Sequence, residues 1–455
     1  MITRSQLIGL TCVAAASALP VACVTVKQPH AQRGVPIRDN RVASARADAQ
    51  SRAVSNAQLP AGPVAQPVTS GVSSARVQIT VAPKGFVRYD AQTLPLVSPD
   101  GRFIAVQSGE APTWDTLLAT DRQEPADNAR ISVVSLEGGA ARTVQVTEVP
   151  LGCTLGRDAT AEGFLIESVR PDGARWIGIV AWASHSLKWL VQGGGVASHA
   201  AFVRTGSHPQ DTALVYQLRS RDSAESSLVF RDASGAESIL ATGGTSYCYP
   251  TSSPDGTVIF AVALTEATGA PPASNPGGAL DIVAARLVED VQRPGGVKLG
   301  ALVSQRPLGN FADVQAAAHQ VFASMQPSAW CSPYSSAAGG VIAFTHPGKG
   351  RAAVMDPGSA SFTWMPEKTI SAAGWGGAGG SDAGYFCTAP RELVFQSANA
   401  PDNQAPARIL PSPYVARVVV EAGVPRLLLF GPAKQREDEL EVLQVTVGAP
   451  PPAAR

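Results

Sequence analysis

The tripeptide Pro-Asp-Gly constrains this chain more than any other sequence feature, because it recurs with strand-like sequence beside it. Its three copies are Pro99-Asp100-Gly101, Pro171-Asp172-Gly173 and Pro254-Asp255-Gly256. Proline cannot donate to a strand ladder and marks a strand end, while Asp-Gly supplies the backbone conformations of a tight turn. Apolar segments such as Phe103 to Val106 follow the turns and suit buried strands. A hairpin that returns three times predicts a fold built from repeated β-sheets.

The turns and their flanking strands resemble the repeat of the TolB-type, WD-like β-propellers of bacterial extracytoplasmic proteins. In that family a Ser-Pro-Asp-Gly turn joins the first two strands of a blade, and a second hairpin completes the blade. The resemblance extends as a pattern over about residues 75 to 447. It implies an all-β propeller and leaves the activity open, because propellers host many unrelated functions.

The composition favours many short strands over helices. The 455 residues include 43 glycines and 36 prolines, as expected for a turn-rich all-β protein. The 36 basic and 36 acidic residues balance, so the chain lacks the basic excess of a nucleic-acid-binding surface. We therefore predict no nucleic-acid partner, and no motif in the sequence calls for a cofactor.

The N-terminus has the features of an export signal. A basic residue precedes an apolar run from Leu7 to Leu19, which is typical of a secretory signal and too short for an ordinary transmembrane helix. Cys23 follows this run and resembles the cysteine of a bacterial lipobox, which is lipidated after cleavage. Ordinary secretion, with cleavage after Ala18 or Ala22, is the alternative.

These features divide the chain into four predicted segments. They are a signal peptide at 1–22, a flexible Ala/Ser/Pro/Arg-rich tether at 23–74, the propeller at 75–449 and a disordered tail at 450–455. The tether is poor in large apolar residues and cannot offset the entropy of ordering by burial.

We predict six four-stranded blades within the propeller. The strand Arg76 to Val81 is expected to lie beside Leu440 to Val447 and to protect the sheet edges. The span is long for six repeats of about 40–50 residues, so the excess lies in insertions or, alternatively, in a seventh blade made from the two termini. One helix is predicted, over Val314 to Met325, because its apolar residues share one face. Residues 374–384 are glycine-rich and are predicted to form a flexible connection between blades.

Three cysteines follow an aromatic residue at predicted blade starts: Cys248, Cys331 and Cys387. If they lie on innermost strands, they form a ring around the central channel. Three thiols near one axis could bind a soft metal. Buried core thiols or disulfides are the alternatives, and we predict structural thiols without a metal.

No catalytic motif is recognisable. The sequence contains no Gly-x-Ser-x-Gly, no His-Glu-x-x-His and no Walker A loop. Asp100, Asp172 and Asp255 recur, but each precedes a turn glycine and is interpreted as a turn former. We therefore predict a non-catalytic scaffold. A propeller-type hydrolase that acts on glycan or peptide through the channel is the alternative.

The predicted scaffold binds its partner, a protein or another envelope ligand, at a propeller rim. Rim loops are free of core packing and usually carry binding. Trp114, Phe311 and Trp375 lie in or beside long predicted loops and are the expected contacts. The protein is expected in the bacterial cell envelope as an outer-membrane lipoprotein, or as a periplasmic or secreted protein, and as a monomer.

Overall fold

The computed structural model describes most of the chain between Gln78 and Gly448. The described residues are 78–88, 95–108, 130–136, 147–148, 153–204, 212–220, 226–241, 246–252, 258–265, 278–289, 297–312, 317, 326–328, 341–356, 361–369, 371–376, 383–398, 405–411, 415–421, 424–433 and 436–448. They belong to one compact unit, Pro63–Arg455. The predicted signal peptide, tether, tail and third Pro-Asp-Gly turn lie outside them, as does the predicted helix apart from Ala317.

The described residues form β-strands joined by turns. In chain order the strands are β1 (Gln78–Arg88), β2 (Leu96–Val97), β3 (Phe103–Ser108), β4 (Arg130–Ser135), β5 (Thr147–Glu148), β6 (Cys153–Ala159), β7 (Gly163–Val169), β8 (Arg175–Ala181), β9 (Leu187–Val191), β10 (Val196–Arg204), β11 (Thr212–Arg219), β12 (Ser226–Arg231), β13 (Glu237–Ala241), β14 (Ser246–Ser252), β15 (Val258–Thr265), β16 (Gly278–Glu289), β17 (Val297–Phe311), β18 (Gln326–Ser328), β19 (Val341–His346), β20 (Arg351–Asp356), β21 (Ser361–Trp364), β22 (Ser371–Gly376), β23 (Ala383–Ala389), β24 (Glu392–Ser397), β25 (Ala407–Leu410), β26 (Val415–Glu421), β27 (Val424–Ala433) and β28 (Arg436–Gly448).

These strands group into antiparallel blades of four. Blade 1 is β2–β5, blade 2 is β6–β9, blade 3 is β10–β13, blade 4 is β14–β17, blade 5 is β18–β21, blade 6 is β22–β25, and blade 7 is β26–β28 completed by β1. Blades 2 and 3 are also linked by one parallel bridge between Val196 and Arg175. The chain is thus an all-β propeller.

The described strands give seven blades, one more than the six that we predicted. Residues 386–430 were expected to form one blade, but they are divided between blades 6 and 7. The seventh blade is built from the two termini, which was the alternative interpretation. The predicted neighbourhood of the terminal strands is confirmed, since Ile79 pairs with Val447 and Val81 with Val445.

Apolar residues are buried between blades, and the strand period explains how. Along β3, Ile104 and Val106 face blade 7, whereas Ala105 faces blade 2. Successive side chains of a strand point to opposite faces, so a strand with a blade on each side reads as a continuous apolar run. Every consecutive pair of blades, including blade 7 with blade 1, shares a buried cluster of this kind.

Two of the Pro-Asp-Gly turns are described and form as predicted. Gly101 and Gly173 have φ angles of 71° and 82°, which favour glycine. Asp100 Oδ1 accepts a hydrogen bond from the Arg102 backbone N–H at 3.0 Å, and Asp172 Oδ1 accepts one from Ala174 at 3.1 Å. Both aspartates are turn formers, as we interpreted them. The first turn joins the first two strands of its blade, but the second joins β7 to β8, the second and third strands, because β6 precedes them.

Candidate functional site

The two connections at one end of blade 5 enclose a cleft. Because its strands are antiparallel, the β19–β20 turn and the segment after β21 emerge at the same end of the sheet. The cleft has a volume of about 580 Å³ and is lined by Lys349, Gly350, Arg351, Trp364, Glu367 and Lys368. We call it the rim cleft.

The β19–β20 turn forms one wall of the rim cleft. The His346 carbonyl accepts hydrogen bonds from the backbone N–H groups of Lys349 (3.1 Å) and Gly350 (2.9 Å). The Gly348 N–H donates to His346 Nδ1 at 3.1 Å. Gly350 has a φ of 62°, which a glycine adopts without strain. These contacts fix the two cations that flank Gly350, Lys349 and Arg351, at the edge of the cleft.

The segment after β21 forms the opposite wall. The Met365 N–H donates to the Ala352 carbonyl at 3.1 Å, and the Ala352 N–H donates to the Thr369 carbonyl at 2.8 Å. A bond of 3.2 Å from the Thr369 N–H to the Pro366 carbonyl closes a four-residue turn. Lys368, at the third position of this turn, has a φ of 66°, a left-handed conformation that an L-residue with a Cβ rarely adopts. The wall is thus tied to β20 and presents a lysine in a strained conformation.

Two aromatic side chains of β21 each lie beside an arginine, and one of these pairs, Trp364 and Arg351, lines the cleft. The side chains of Phe362 and Trp364 lie on one face of β21, with ring centroids 6.2 Å apart. The guanidinium of Arg351 lies 4.9 Å from the Trp364 ring centroid, and that of Arg306 lies 5.0 Å from the Phe362 centroid. Trp364 nevertheless remains 36% exposed, so its ring is accessible beside the Arg351 guanidinium.

The rim cleft carries positive charge that the described residues do not neutralise. Arginines elsewhere pair with carboxylates, as Arg408 does with Glu392 at 3.2 Å. Within the described part of the chain, Lys349, Arg351 and Lys368 have no carboxylate oxygen within 4 Å. Glu367 is the one acidic residue in the lining, which therefore holds three cations and one anion. The cleft is suited to an anionic group.

His346 lies behind this charge and is held neutral. Its ring centroid is 5.4 Å from that of Trp364. Burial lowers the pKa of His346, and the nearby charge of Lys349 lowers it further. The positive character of the cleft at neutral pH therefore comes from its lysines and arginine.

A second cluster of polar side chains lies between blades 2, 3 and 4, and it is committed to structure. Glu167 Oε1 accepts a hydrogen bond from the His199 backbone N–H at 2.6 Å, and Asp158 Oδ2 accepts one from Phe202 at 2.8 Å. The ladder of β10 shifts register at His199, whose φ is 56°. A bulge leaves backbone donors without a ladder partner, and the two carboxylates of blade 2 satisfy them.

Burial also sets the ionisation of this cluster. It raises the pKa of Glu167, while Arg175 and the backbone donors of β10 oppose the rise. The ring centroids of His199 and Tyr249 are 4.6 Å apart, and Tyr249 lies on a bulge of β14 with a φ of 54°. No motif or spacing in the sequence predicts this cluster.

The predicted cysteine ring is not formed by the two of its members that the structure describes. Cys248 lies on β14, the first strand of blade 4, and packs between blades 4 and 5. Cys387 lies on β23, the second strand of blade 6, and packs between blades 5 and 6, where burial raises the pKa of its thiol to about 12. These positions are not equivalent, so the two thiols do not face one axis. Cys331 lies outside the described residues.

The predicted rim contacts have different outcomes. Trp375 is only 1% exposed and packs edge-to-face on Phe386, so the prediction of a rim contact is wrong for it. It lies in β22, which replaces the first part of the predicted flexible connection. Phe311 ends β17 and packs against the core between blades 4 and 5, near Gly348 of the β19–β20 turn. Trp114 lies outside the described residues.

The described part of the chain contains no group of three or more histidine, cysteine or acidic side chains arranged to hold a metal ion. None of the helical segments in this part has the length and apolar character needed to cross a membrane.

Comparison with known proteins finds similarity in structure alone. No family model and no curated protein matches the chain. The putative TolB from Agrobacterium tumefaciens is 14% identical, with 69% of this chain and 99% of that chain covered and a TM-score of 0.36. The β-propeller domain of the Trilobed protease from Pyrococcus furiosus is 10% identical, with coverage of 81% and 96% and a TM-score of 0.40.

A structure from a study of two prolyl endopeptidases is 15% identical, with a TM-score of 0.37. The match covers 78% of this chain and 47% of that chain, so this chain spans about half of its length. The similar structures thus include a TolB protein and peptidases, and they leave the activity open. The propeller assignment rests on the strand pairing and on the clusters between blades.

Proposed function

We propose that this protein is an exported, non-catalytic binding propeller of the bacterial cell envelope, and that it holds a partner at the rim cleft of blade 5. The observation that carries the proposal is the set of three cations beside an exposed tryptophan. Aromatic residues and arginine are enriched among residues that dominate binding energies. The location agrees with our expectation that the partner docks at a rim.

The geometry of the walls supports a binding role. Both are held by backbone hydrogen bonds, so little conformational entropy is lost when a ligand binds. The left-handed φ of Lys368 allows the wall turn to close, at a cost in stability. Such strain is concentrated at functional sites.

Four of the described acidic side chains are committed to structure, which favours a scaffold over an enzyme. Asp100 and Asp172 accept hydrogen bonds from turn backbone, and Asp158 and Glu167 accept them from β10. A general acid or base must instead reach a substrate. Turnover of a glycan or peptide substrate that is lost when one of these carboxylates is replaced by its amide would favour the propeller-type hydrolase.

Export and anchoring are part of the proposal and rest on the N-terminal sequence. A lipidated Cys23 would place the mature protein in membrane fractions, and Cys23→Ser would release it or block its maturation. Equal solubility of the wild type and this variant would indicate plain secretion.

The site is tested by charge reversal in the full chain. Lys349→Glu and Lys368→Glu should each reduce partner capture from envelope extracts, measured by quantitative mass spectrometry of the captured proteins. Lys188→Glu is the matched control, because Lys188 is an exposed lysine on blade 2. Capture that is equal in all three variants, with unchanged melting temperatures, would move the binding site away from the rim cleft.

A further inference from the structure

We infer that the rim cleft takes an extended acidic segment of a partner protein, which pairs with β21 and places its carboxylates on the cations. This inference deepens the proposed function and rests on it. Two independent features carry it, the position of β21 in its sheet and the arrangement of charge at the end of that strand.

Strand β21 lies at the edge of blade 5. It pairs with β20 on one side, from Ala353 opposite Trp364 to Asp356 opposite Ser361. No described strand pairs with its other side. The free side of an edge strand presents backbone N–H and C=O groups to an incoming chain. An extended peptide can add there as a further strand, with main-chain bonds that supply affinity.

The end of β21 leads directly into the rim cleft. Trp364 is the last residue of the strand, and Glu367 and Lys368 follow it in the cleft wall. A peptide paired with the free edge of β21 therefore extends toward Lys368 in the segment that follows the strand. Alternate side chains of an extended peptide point to one side, so acidic residues at alternate positions can share the sheet face of Trp364, over which Arg351 of β20 lies.

Arg351 is placed to receive a carboxylate. Its guanidinium carbon lies over the Trp364 ring, 4.9 Å from the ring centroid. Within the described part of the chain no carboxylate pairs with its N–H groups. Those groups match the two oxygens of a carboxylate in a bidentate pair. Lysine cannot reproduce this arrangement, because its ammonium is a point charge on a flexible chain.

Both features together favour a peptide over other anions. A phosphate or a uronate sugar would satisfy the cations, but neither provides the alternating N–H and C=O groups that pair with a strand edge. A nonspecific attraction to anions would use the lysines without needing Arg351 beside Trp364. An acidic peptide uses the strand edge, Arg351 and the lysines at once.

The first test measures binding of a labelled ten-residue peptide, with glutamate at alternate positions, to the purified full chain by fluorescence anisotropy. Three reference ligands are measured in the same way: the same peptide with glutamine in place of glutamate, a uronate decamer, and inorganic phosphate. Arg351→Gln and Arg351→Lys should each weaken binding of the acidic peptide by roughly tenfold or more. Lys188→Gln should change it by no more than about twofold, because isolated surface charges contribute little. Circular dichroism and melting temperatures confirm that each variant is folded.

The second test separates strand pairing from charge. Two versions of the acidic peptide carry N-methyl groups on alternate residues, in one or the other register. One register blocks the N–H groups that face β21, and that version should bind at least about tenfold more weakly than the other. Equal binding of the two versions would overturn the strand pairing. Binding of the uronate decamer as tight as that of the acidic peptide, or full binding by Arg351→Gln, would overturn the inference.

The outcomes also separate this inference from the proposed function. If Lys349→Glu and Lys368→Glu reduce partner capture but the acidic peptide does not bind, the rim cleft is the site and the inference about its ligand is wrong. If neither variant reduces capture, the proposed function itself is wrong.

Discussion

Replacing Lys368 by asparagine should make the protein more stable and a weaker binder at the same time. Lys368 has a φ of 66° at the third position of a four-residue turn closed by Thr369 and Pro366. Asparagine is several-fold enriched in this left-handed region compared with most other residues. The variant should therefore relieve backbone strain that the wild type carries in the wall of the rim cleft.

The size of the gain follows from the cost of the conformation. A left-handed residue with a Cβ costs roughly 1–2 kcal/mol, of which asparagine should recover about 0.5–1 kcal/mol. Lys368 is exposed and has no described ion pair whose loss would offset the gain. Removal of the Lys368 ammonium, a point charge without the bidentate geometry of Arg351, should weaken binding of an acidic ligand by roughly two- to fivefold.

The assay compares chemical-denaturation midpoints followed by tryptophan fluorescence with peptide binding on the same samples. Lys349→Asn is the matched control, because it removes a cation from the opposite wall at a residue without a positive φ. It should weaken binding without raising the midpoint. A Lys368→Asn protein that is no more stable than the Lys349→Asn protein would refute the assignment of strain to Lys368.

Three further predictions concern the core and the closure of the propeller. Glu167→Gln should gain stability relative to the wild type as the pH rises above 4.5, the ordinary carboxyl pKa, because burial raises the pKa of Glu167 and its ionisation then destabilises the folded wild type. Denaturation midpoints measured from about pH 4 to about pH 8 would show this. Equal pH profiles of the two proteins would contradict it. Trp375→Ala should cost about 3–5 kcal/mol and Trp364→Ala under about 1 kcal/mol, and similar melting temperatures would contradict their assigned burial. A chain that lacks residues 1–88 should aggregate in size-exclusion chromatography, because the edge of β28 is left open, whereas a chain that lacks residues 1–77 should remain monomeric.

The sequence located the strands beside the Pro-Asp-Gly turns and missed strands at both edges of the blades, including the outer strands β17 and β21. Strands such as β3 and β8 have continuous or alternating apolar residues beside a turn with clear chemistry. The missed strands β6, β10 and β22 lie first in their blades and are rich in small or polar residues. In β6, a Cβ added to Gly156 would lie 2.7 Å from the Leu165 carbonyl oxygen, so close packing requires the residue that weakens the strand signal. Bulges in β6 and β10 also interrupt the period of two.

The two tryptophans show why the site was harder to predict than the fold. The glycines around Trp375 indicated a flexible loop, yet Gly384 lies in β23 and pairs with Trp375 across the strands. A Cβ at Gly384 would lie 2.7 Å from the Phe395 ring, so this glycine serves packing. Trp364 lies in an ordinary alternating segment, and its exposure depends on β21 being an edge strand, which only the complete strand order reveals.

The closure of blade 7 has a consequence for the order of assembly. Strand β1 pairs with β28 from Arg88 opposite Glu439 to Gln78 opposite Gly448. During synthesis β1 emerges before every other strand of the propeller and its partner after all of them. Joining such distant segments in an otherwise unfolded chain would cost about 5 kcal/mol in loop entropy, a cost that falls once the blades between them have formed and brought the ends together. The pairing of β1 with β28 protects the finished molecule from strand exchange. During synthesis, however, the backbone groups of β1 are the ones that wait longest for their partner strand.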